Sequence, residues 1–248
     1  MHVRSVALLF LLSCAAGVAG CAADTAPETR DDDYTVGDFR ADEVLPYAGR
    51  WLDAPKALAG VGQFDRLKGT IYDDAKCSTM VAIAAAIVSG EERFVRLLDA
   101  VEAKREGRRE DLATVAWVRD AVVARALTPR HLLELTEVMV RAYGVGNGAY
   151  DEQIAEMIRA SGYVPVKVGS TKPAVLVDRL GEREIVPLGT VAEGVAHITL
   201  LWKDARGTVR LYDSDDVKGP HVMPRGSAAY RERVEAPDSA WELGEKYR

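Results

Sequence analysis

The order of helical and strand-like patterns in this sequence predicts an α+β domain. Apolar residues recur at helical spacing through residues 91–160, and Gly or Pro marks the ends of four segments there. After Gly162 the pattern changes to short runs rich in β-branched residues, as is typical of strands. Because helices come first and strands second, we expect an antiparallel sheet at about 163–216 that packs on a central helix.

Each segment has its own pattern. The segment "STMVAIAAAIV", residues 78–88, contains no helix breaker and is apolar almost all round, so it predicts a buried central helix. The four segments between 91 and 160 predict an enlarged helical lobe beside it. Their sequences are EERFVRLLDAVEAKRE, DLATVAWVRDAVVARAL, PRHLLELTEVMVRAYG and DEQIAEMIRASG. The expected strands are YVPVKVG, EIVPLG, HITLLW and TVRLYD, and the C-terminal YRERVEAPDSAWELGEKYR indicates at most a surface helix.

The amino terminus has the layout of a secretory signal. A basic start at Arg4 precedes an apolar stretch at 6–18, which is shorter than a typical membrane span, and small residues lead to Cys21. The residues Val-Ala-Gly-Cys that end there resemble the lipobox of bacterial lipoproteins. The resemblance implies cleavage after residue 20 and acylation of the Cys21 thiol and its new amino group. The alternative is an ordinary signal that is cleaved nearby.

The residues after Cys21 predict a tether. The stretch to about residue 35 is polar, contains three consecutive aspartates and has almost no apolar residue with which to fold. Residues 36–248 then form the folded domain. The alanines that follow Cys21 resemble the sorting pattern of outer-membrane lipoproteins in Gram-negative bacteria. We therefore expect a cell-envelope protein that is held through lipid on Cys21 on the outer membrane of a Gram-negative bacterium.

Charge and composition exclude some function classes. The full sequence has a formal net charge of −6, and loss of Arg4 with the signal makes it one unit more negative. No basic patch favours nucleic acid as a partner. The sequence contains no internal repeat and no second apolar stretch of membrane-spanning length, and nothing in it indicates a cofactor.

The three cysteines separate into different roles. Cys14 leaves with the signal and Cys21 carries lipid, so Cys77 is the cysteine that remains in the domain. A leftover cysteine in an exported protein indicates a reactive thiol or intermolecular pairing, although buried packing is also common for cysteine. Cys77 lies at the start of the predicted central helix, where the helix dipole and Lys76 favour thiolate over thiol.

A nucleophilic thiolate needs a base, and His197 is the best candidate. It opens "HITLLW", and the polar turn "KDARG" connects this run to "TVRLYD" in a hairpin pattern. Because the start of one hairpin strand lies near the end of the other, His197 should lie beside Asp213. A carboxylate there orients the imidazole and stabilises its cation. By contrast, the pattern predicts His131 on a helix surface and His221 in a turn.

Three candidate residues stand in a distinctive order: Cys77 before "STMVAIAAAI", His197 before "ITLLW" and Asp213 after "TVRLY". This order resembles that of the papain-like cysteine peptidases, in particular the domains that cleave bacteriocin leaders. The stretch KPAVLVDRLGEREIVPLGT is similar to the family's short helix and strand ahead of the histidine. The family's cell-wall endopeptidases differ, because their nucleophile motif is Asp-Cys-Ser-Gly. The resemblance implies a Cys-His-Asp triad and a peptide or peptidoglycan-type substrate.

The sequence departs from this family near the nucleophile. Family members carry a glutamine about six residues before the cysteine to hold the oxyanion, whereas the nearest upstream glutamine here is Gln63. Asp73 and Asp74 also oppose thiolate formation through like charge. Three hypotheses therefore stay open: a lipid-anchored thiol hydrolase, an inactive papain-like binding or scaffold lipoprotein, and a lipoprotein of unrelated fold. A zinc site is not expected, because one Cys and one His lack clustered ligands.

Overall fold

The fold is taken from a computed structural model of the chain. It describes residues 57–61, 76–104, 108–145, 149, 151–169, 185–192, 195–204, 206–215, 219–231 and 239–245. Within these ranges the chain is a helical layer followed by an antiparallel sheet, which confirms the predicted α+β class. No helix in these ranges is both long and apolar enough to cross a membrane.

The helices follow the predicted segments closely. Five of them precede the sheet in the described part of the chain: α1 Cys77–Ser89, α2 Glu91–Lys104, α3 Arg109–Val123, α4 Pro129–Tyr143 and α5 Asp151–Ala160. A single helical turn, α6 Ala228–Tyr230, comes much later. The helices agree with the predicted segments because the apolar residues that recur at helical spacing face the core. Phe94, Leu97, Leu98 and Val101 of α2, for example, are all buried.

The sheet has six strands in the described ranges, and every pairing in it is antiparallel. Their bounds are β1 Tyr163–Gly169, β2 Ile185–Ala192, β3 Val195–Lys203, β4 Val209–Tyr212, β5 His221–Val222 and β6 Ser239–Glu245. The spatial order is β1-β6-β2-β3-β4-β5. Strands β2, β3 and β4 are consecutive hairpin partners, and the β3–β4 hairpin is the one that the turn "KDARG" predicts.

The C-terminal part of the sequence is where the fold prediction was wrong. We expected a surface helix there, but Ser239–Glu245 forms β6, which lies between β1 and β2. The predicted end of the sheet near residue 216 is therefore too early. His221 was also expected in a turn and instead forms β5 with Val222, next to β4. The short helix predicted ahead of β2 falls on residues outside those described.

Two apolar clusters lie on opposite faces of the sheet. The helix face carries Ile198, Leu200 and Trp202 of β3, which belong to the same buried cluster as α1. The second face carries Leu201 and Leu211, which belong to a smaller cluster. Its other members are Val186, Leu188, Met223, Tyr230 and Ala240. This division follows the period of two along a strand, in which successive side chains point to opposite faces.

Helix α1 is the centre of the larger cluster. All of its residues from Cys77 to Ile87 are buried, as the almost uniformly apolar pattern predicts. The helix packs on β3 and also contacts α2, α4 and α5. The helix ends at Gly90, which adopts a φ of 120° and whose N–H donates to the carbonyls of Ala86 and Ile87.

The start of α1 has no side-chain cap. Lys76 precedes the helix and its side chain makes no capping hydrogen bond. The Thr79 hydroxyl donates to the Lys76 carbonyl at 2.9 Å. Asp73 and Asp74 lie outside the described residues. Lys76 itself is fully buried and directly precedes Cys77.

His131 differs from its prediction. Thr128 is the N-cap of α4 and Pro129 its first residue, and the sequence predicts the nearby His131 at the surface. In the structure His131 is only 8% exposed and its ring lies 3.9 Å from that of Trp117 on α3. Its Nδ1 accepts the Thr128 backbone N–H at 3.0 Å, which satisfies an amide at the helix start.

This environment makes the stability of α4 depend on pH. Burial and the nearby Arg130 charge lower the pKa of His131 below its usual 6.5. The stabilisation from neutral His131 is therefore complete above pH 6.5 and is lost as the pH falls through the lowered folded-state pKa. We expect the unfolding free energy to fall between pH 7 and pH 5 by at most about 1.4 kcal/mol per pH unit from this group. Urea unfolding of His131→Gln, which keeps an acceptor and cannot titrate, should lack this component; an identical pH dependence would contradict the assignment.

Candidate functional site

His197 and Asp213 form the pair that the hairpin pattern predicts. His197 is the third residue of β3, and Asp213 follows the last residue of β4. The pairing of Leu200 with Tyr212 sets the register and brings both residues to the same end of the hairpin. The His197 Nε2 atom lies 2.7 Å from Asp213 Oδ1, so the two side chains are hydrogen-bonded.

A second carboxylate completes this group. Asp215 Oδ2 lies 3.7 Å from His197 Nε2, beyond hydrogen-bond distance but close enough for charge attraction. The Asp215 backbone N–H donates to Asp213 Oδ1 at 2.9 Å, which fixes the short turn after β4. One Asp213 oxygen therefore holds both the imidazole and the turn. The sequence reasoning missed Asp215, although the run "DSDD", which begins at the predicted partner Asp213, was its signal.

The pair is shielded but not closed off from solvent. The side chains of His197 and Asp213 are 12% and 10% exposed, whereas that of Asp215 is 34% exposed. Low exposure strengthens the electrostatic contact between imidazole and carboxylate. When Nε2–H donates to Asp213, the other ring nitrogen, Nδ1, is the proton acceptor. The arrangement can therefore hold a neutral imidazole in the tautomer that a general base needs.

Cys77 is the first residue of α1, as predicted, and is 5% exposed. Its sulfur is in a disulfide in the structure. The chain's other two cysteines, Cys14 and Cys21, both lie outside the described residues. Nucleophilic chemistry at Cys77 therefore requires the reduced form of the protein.

The two faces of the sheet restrict how Cys77 can meet His197. Cys77 belongs to the apolar cluster of the helix face, together with Ile198 and Leu200. Alternation along β3 places His197 on the second face, with Leu201. A contact between the Cys77 sulfur and the imidazole has to form at the end of the sheet where β3 begins and β4 ends. The convergence of all three side chains stays a prediction.

The other two predicted site residues are not among those that the structure describes. Gln63, the candidate oxyanion donor, and Cys21, the candidate lipidation site, lie outside the described residues. Two serine hydroxyls adjacent to the site residues were not predicted. The Ser78 and Ser214 hydroxyls are buried, and they lack a hydrogen-bond partner within the described part of the chain. They follow Cys77 and Asp213 directly, so each is held close to a candidate site residue.

A scan against protein-family models and a search of curated proteins both give no match to this chain.

Proposed function

We propose that this protein is a lipid-anchored extracytoplasmic thiol hydrolase, a peptidase or amidase of papain-like type, with Cys77, His197 and Asp213 as its triad. The hydrogen bond of 2.7 Å between His197 and Asp213 is the observation that carries the proposal. Such a pair, shielded from solvent at one end of a sheet, orients an imidazole for proton transfer. Cys77 supports the proposal by its position at the first turn of a helix that packs on β3.

The proposed reaction begins with transfer of the Cys77 thiol proton to His197 Nδ1. The thiolate then attacks the carbonyl carbon of an amide, and the carbonyl π pair moves to oxygen. Collapse of this intermediate breaks the C–N bond, while the imidazolium returns its proton to the leaving amine. Water, deprotonated by His197, hydrolyses the resulting thioester and regenerates the thiol. Asp213 stabilises the imidazolium throughout.

The developing oxyanion needs hydrogen-bond donors. The backbone N–H of Cys77 is one candidate, because the first amides of a helix have no intrahelical acceptor. Gln63 is the side-chain candidate that the family resemblance implies, and the Ser78 hydroxyl is a further one from its buried position beside Cys77. Loss of one such donor commonly lowers the rate by ~10²–10³.

The proposed location is the cell envelope, on the outer membrane of a Gram-negative bacterium. Lipid on Cys21 and the polar tether that follows support this part of the proposal. More than one acyl chain holds a protein on a membrane far more firmly than a single chain does. A hydrolase in this position would act on peptides or on peptidoglycan-type amides.

The anchor makes a simple prediction. Replacement of Cys21 by Ser should give a soluble or unprocessed protein, because the acyl chains are the strong membrane attachment in this proposal. Membrane fractionation followed by mass spectrometry of the amino terminus is the measurement. Full membrane retention of a correctly cleaved Cys21→Ser protein would contradict the lipoprotein assignment.

The second candidate function is that of a papain-like binding or scaffold lipoprotein without catalysis. Two observations favour it: the Cys77 sulfur is in a disulfide, and alternation directs His197 to the sheet face opposite the Cys77 cluster. Hydrolysis assays on peptide and peptidoglycan-derived amides, run with and without a thiol reductant, separate the two. Turnover that appears only with reductant supports the hydrolase. No turnover in either condition, on a folded protein, favours the binding protein.

A further inference from the structure

Three side chains at the end of the β3–β4 hairpin have the composition of a metal site. His197, Asp213 and Asp215 each offer one ligand atom, and these atoms all lie within 4.8 Å of one another. The set combines one imidazole with two carboxylates, a mixture of nitrogen and oxygen donors that suits divalent transition-metal ions. It is therefore more than a group of acidic residues.

Two of the three distances between ligand atoms are close to those of a metal site. Zinc binds these donor types at about 2.0–2.2 Å, which separates the ligand atoms of a tetrahedron by about 3.3–3.5 Å. The His197 Nε2 atom is 2.7 Å from Asp213 Oδ1 and 3.7 Å from Asp215 Oδ2, so the two observed distances bracket the ideal one. Small side-chain rotations of His197 and Asp215 would reach it.

The surroundings also suit a metal ion. The backbone N–H of Asp215 donates to Asp213 Oδ1 and fixes the turn that carries both carboxylates. A hydrogen-bonded carboxylate is a better-oriented ligand than a free one. Asp215 is partly exposed while the other two side chains are mostly buried, which leaves one side of the group open to solvent. Three protein ligands with an open position are typical of reactive zinc sites.

We propose that His197, Asp213 and Asp215 bind one divalent transition-metal ion, with a fourth position left for water or a small anion. This inference is independent of the proposed hydrolase, because it does not use Cys77. The two roles of His197 exclude each other at any one moment. A metal on Nε2 displaces the proton that Nε2 donates to Asp213 and moves the ring proton to Nδ1, where it blocks acceptance of a thiol proton. Metal binding would therefore switch off the imidazole as a base.

The test is titration of the full-length protein with Zn²⁺ by calorimetry, and with Co²⁺ by visible absorption. All variants carry Cys77→Ser, so that the thiol cannot serve as a ligand. We expect one equivalent to bind, and affinity to rise with pH because a proton is released on binding. Loss of an outer-shell partner weakens metal binding by about 10–100-fold. Asp215→Asn alters a direct ligand and should weaken binding by more than this. Asp99→Asn on the exposed surface of α2 and His221→Gln on β5 are the matched controls and should bind as the parent does.

Each outcome decides the proposal. Loss of affinity in Asp215→Asn with unchanged affinity in both controls supports the site. An absence of saturable binding, or equal affinity in the parent and Asp215→Asn, overturns it. Asp215 is partly exposed, so its substitution should leave the thermal melt unchanged and a folding defect should not obscure the result. Metal binding in a protein whose reduced Cys77 never hydrolyses a substrate would remove the hydrolase and leave the metal site standing.

Discussion

Replacement of Cys77 by alanine is expected to abolish hydrolysis by the reduced protein. The sulfur forms the covalent bond to the substrate in the proposed reaction. A loss of at least ~10⁴-fold is typical when a covalent nucleophile is removed. Steady-state turnover of an amide substrate is the measurement, and circular dichroism should show an unchanged fold. His197→Ala should lower turnover by ~10²–10⁴, as for loss of a general acid–base.

A second histidine, His221, provides the control for His197→Ala. His221 lies on β5, pairs with Leu211 in the sheet, and has no role in the proposed reaction. His221→Ala should therefore turn over substrate at the parental rate. Equal losses in His197→Ala and His221→Ala would point to a general effect on the sheet. Unaltered turnover in Cys77→Ala would exclude Cys77 as the nucleophile.

The largest expected loss of stability comes from truncation of α1 in the core. Ile83 is completely buried at the middle of this helix, in the cluster that joins α1 to the sheet. Ile83→Ala removes three carbon atoms and leaves a cavity that the surrounding helices cannot fully close. We expect the unfolding free energy to fall by about 2–5 kcal/mol, measured by urea denaturation.

The exposed end of α3 offers the matched control. Val123 is 79% exposed, so Val123→Ala also shortens a β-branched side chain but removes almost no buried surface. Its unfolding free energy should change by no more than about 0.5 kcal/mol. Similar losses in the two variants would contradict the packing of α1 as the centre of the domain.

The parts of the fold that local patterns specify could be predicted from the sequence. The apolar periodicity of residues 91–160 predicted the helices, and the turn between the runs at 197 and 208 predicted the hairpin that joins His197 to Asp213. By contrast, the place of Ser239–Glu245 in the sheet depends on pairing with β1 and β2, which are remote in sequence. No local pattern in the sequence indicates that β1 and β2 leave space between them for a further strand. Its short run around Trp241 also lacks a strong period of two.

Two details of the site were available in the sequence but not used. In "HITLLW" the polar residues His197 and Thr199 alternate with Ile198 and Leu200, which predicts that the histidine faces away from the main core. The structure has this arrangement. Asp215 could likewise have been recognised from the carboxylates that follow the second strand. The burial of His131 was different, since it depends on the contact with Trp117 from a neighbouring helix.

In the proposed hydrolase, the His197–Asp213 pair activates the Cys77 sulfur. This activation is tested by the rate of iodoacetamide alkylation of Cys77 in the reduced protein as a function of pH, for the parent and for His197→Ala. The parent should react at pH 6 faster than free cysteine, and His197→Ala should lose this advantage. Alkylation that follows the ordinary thiol, with pKa about 8.5, and that is the same in both proteins would contradict it.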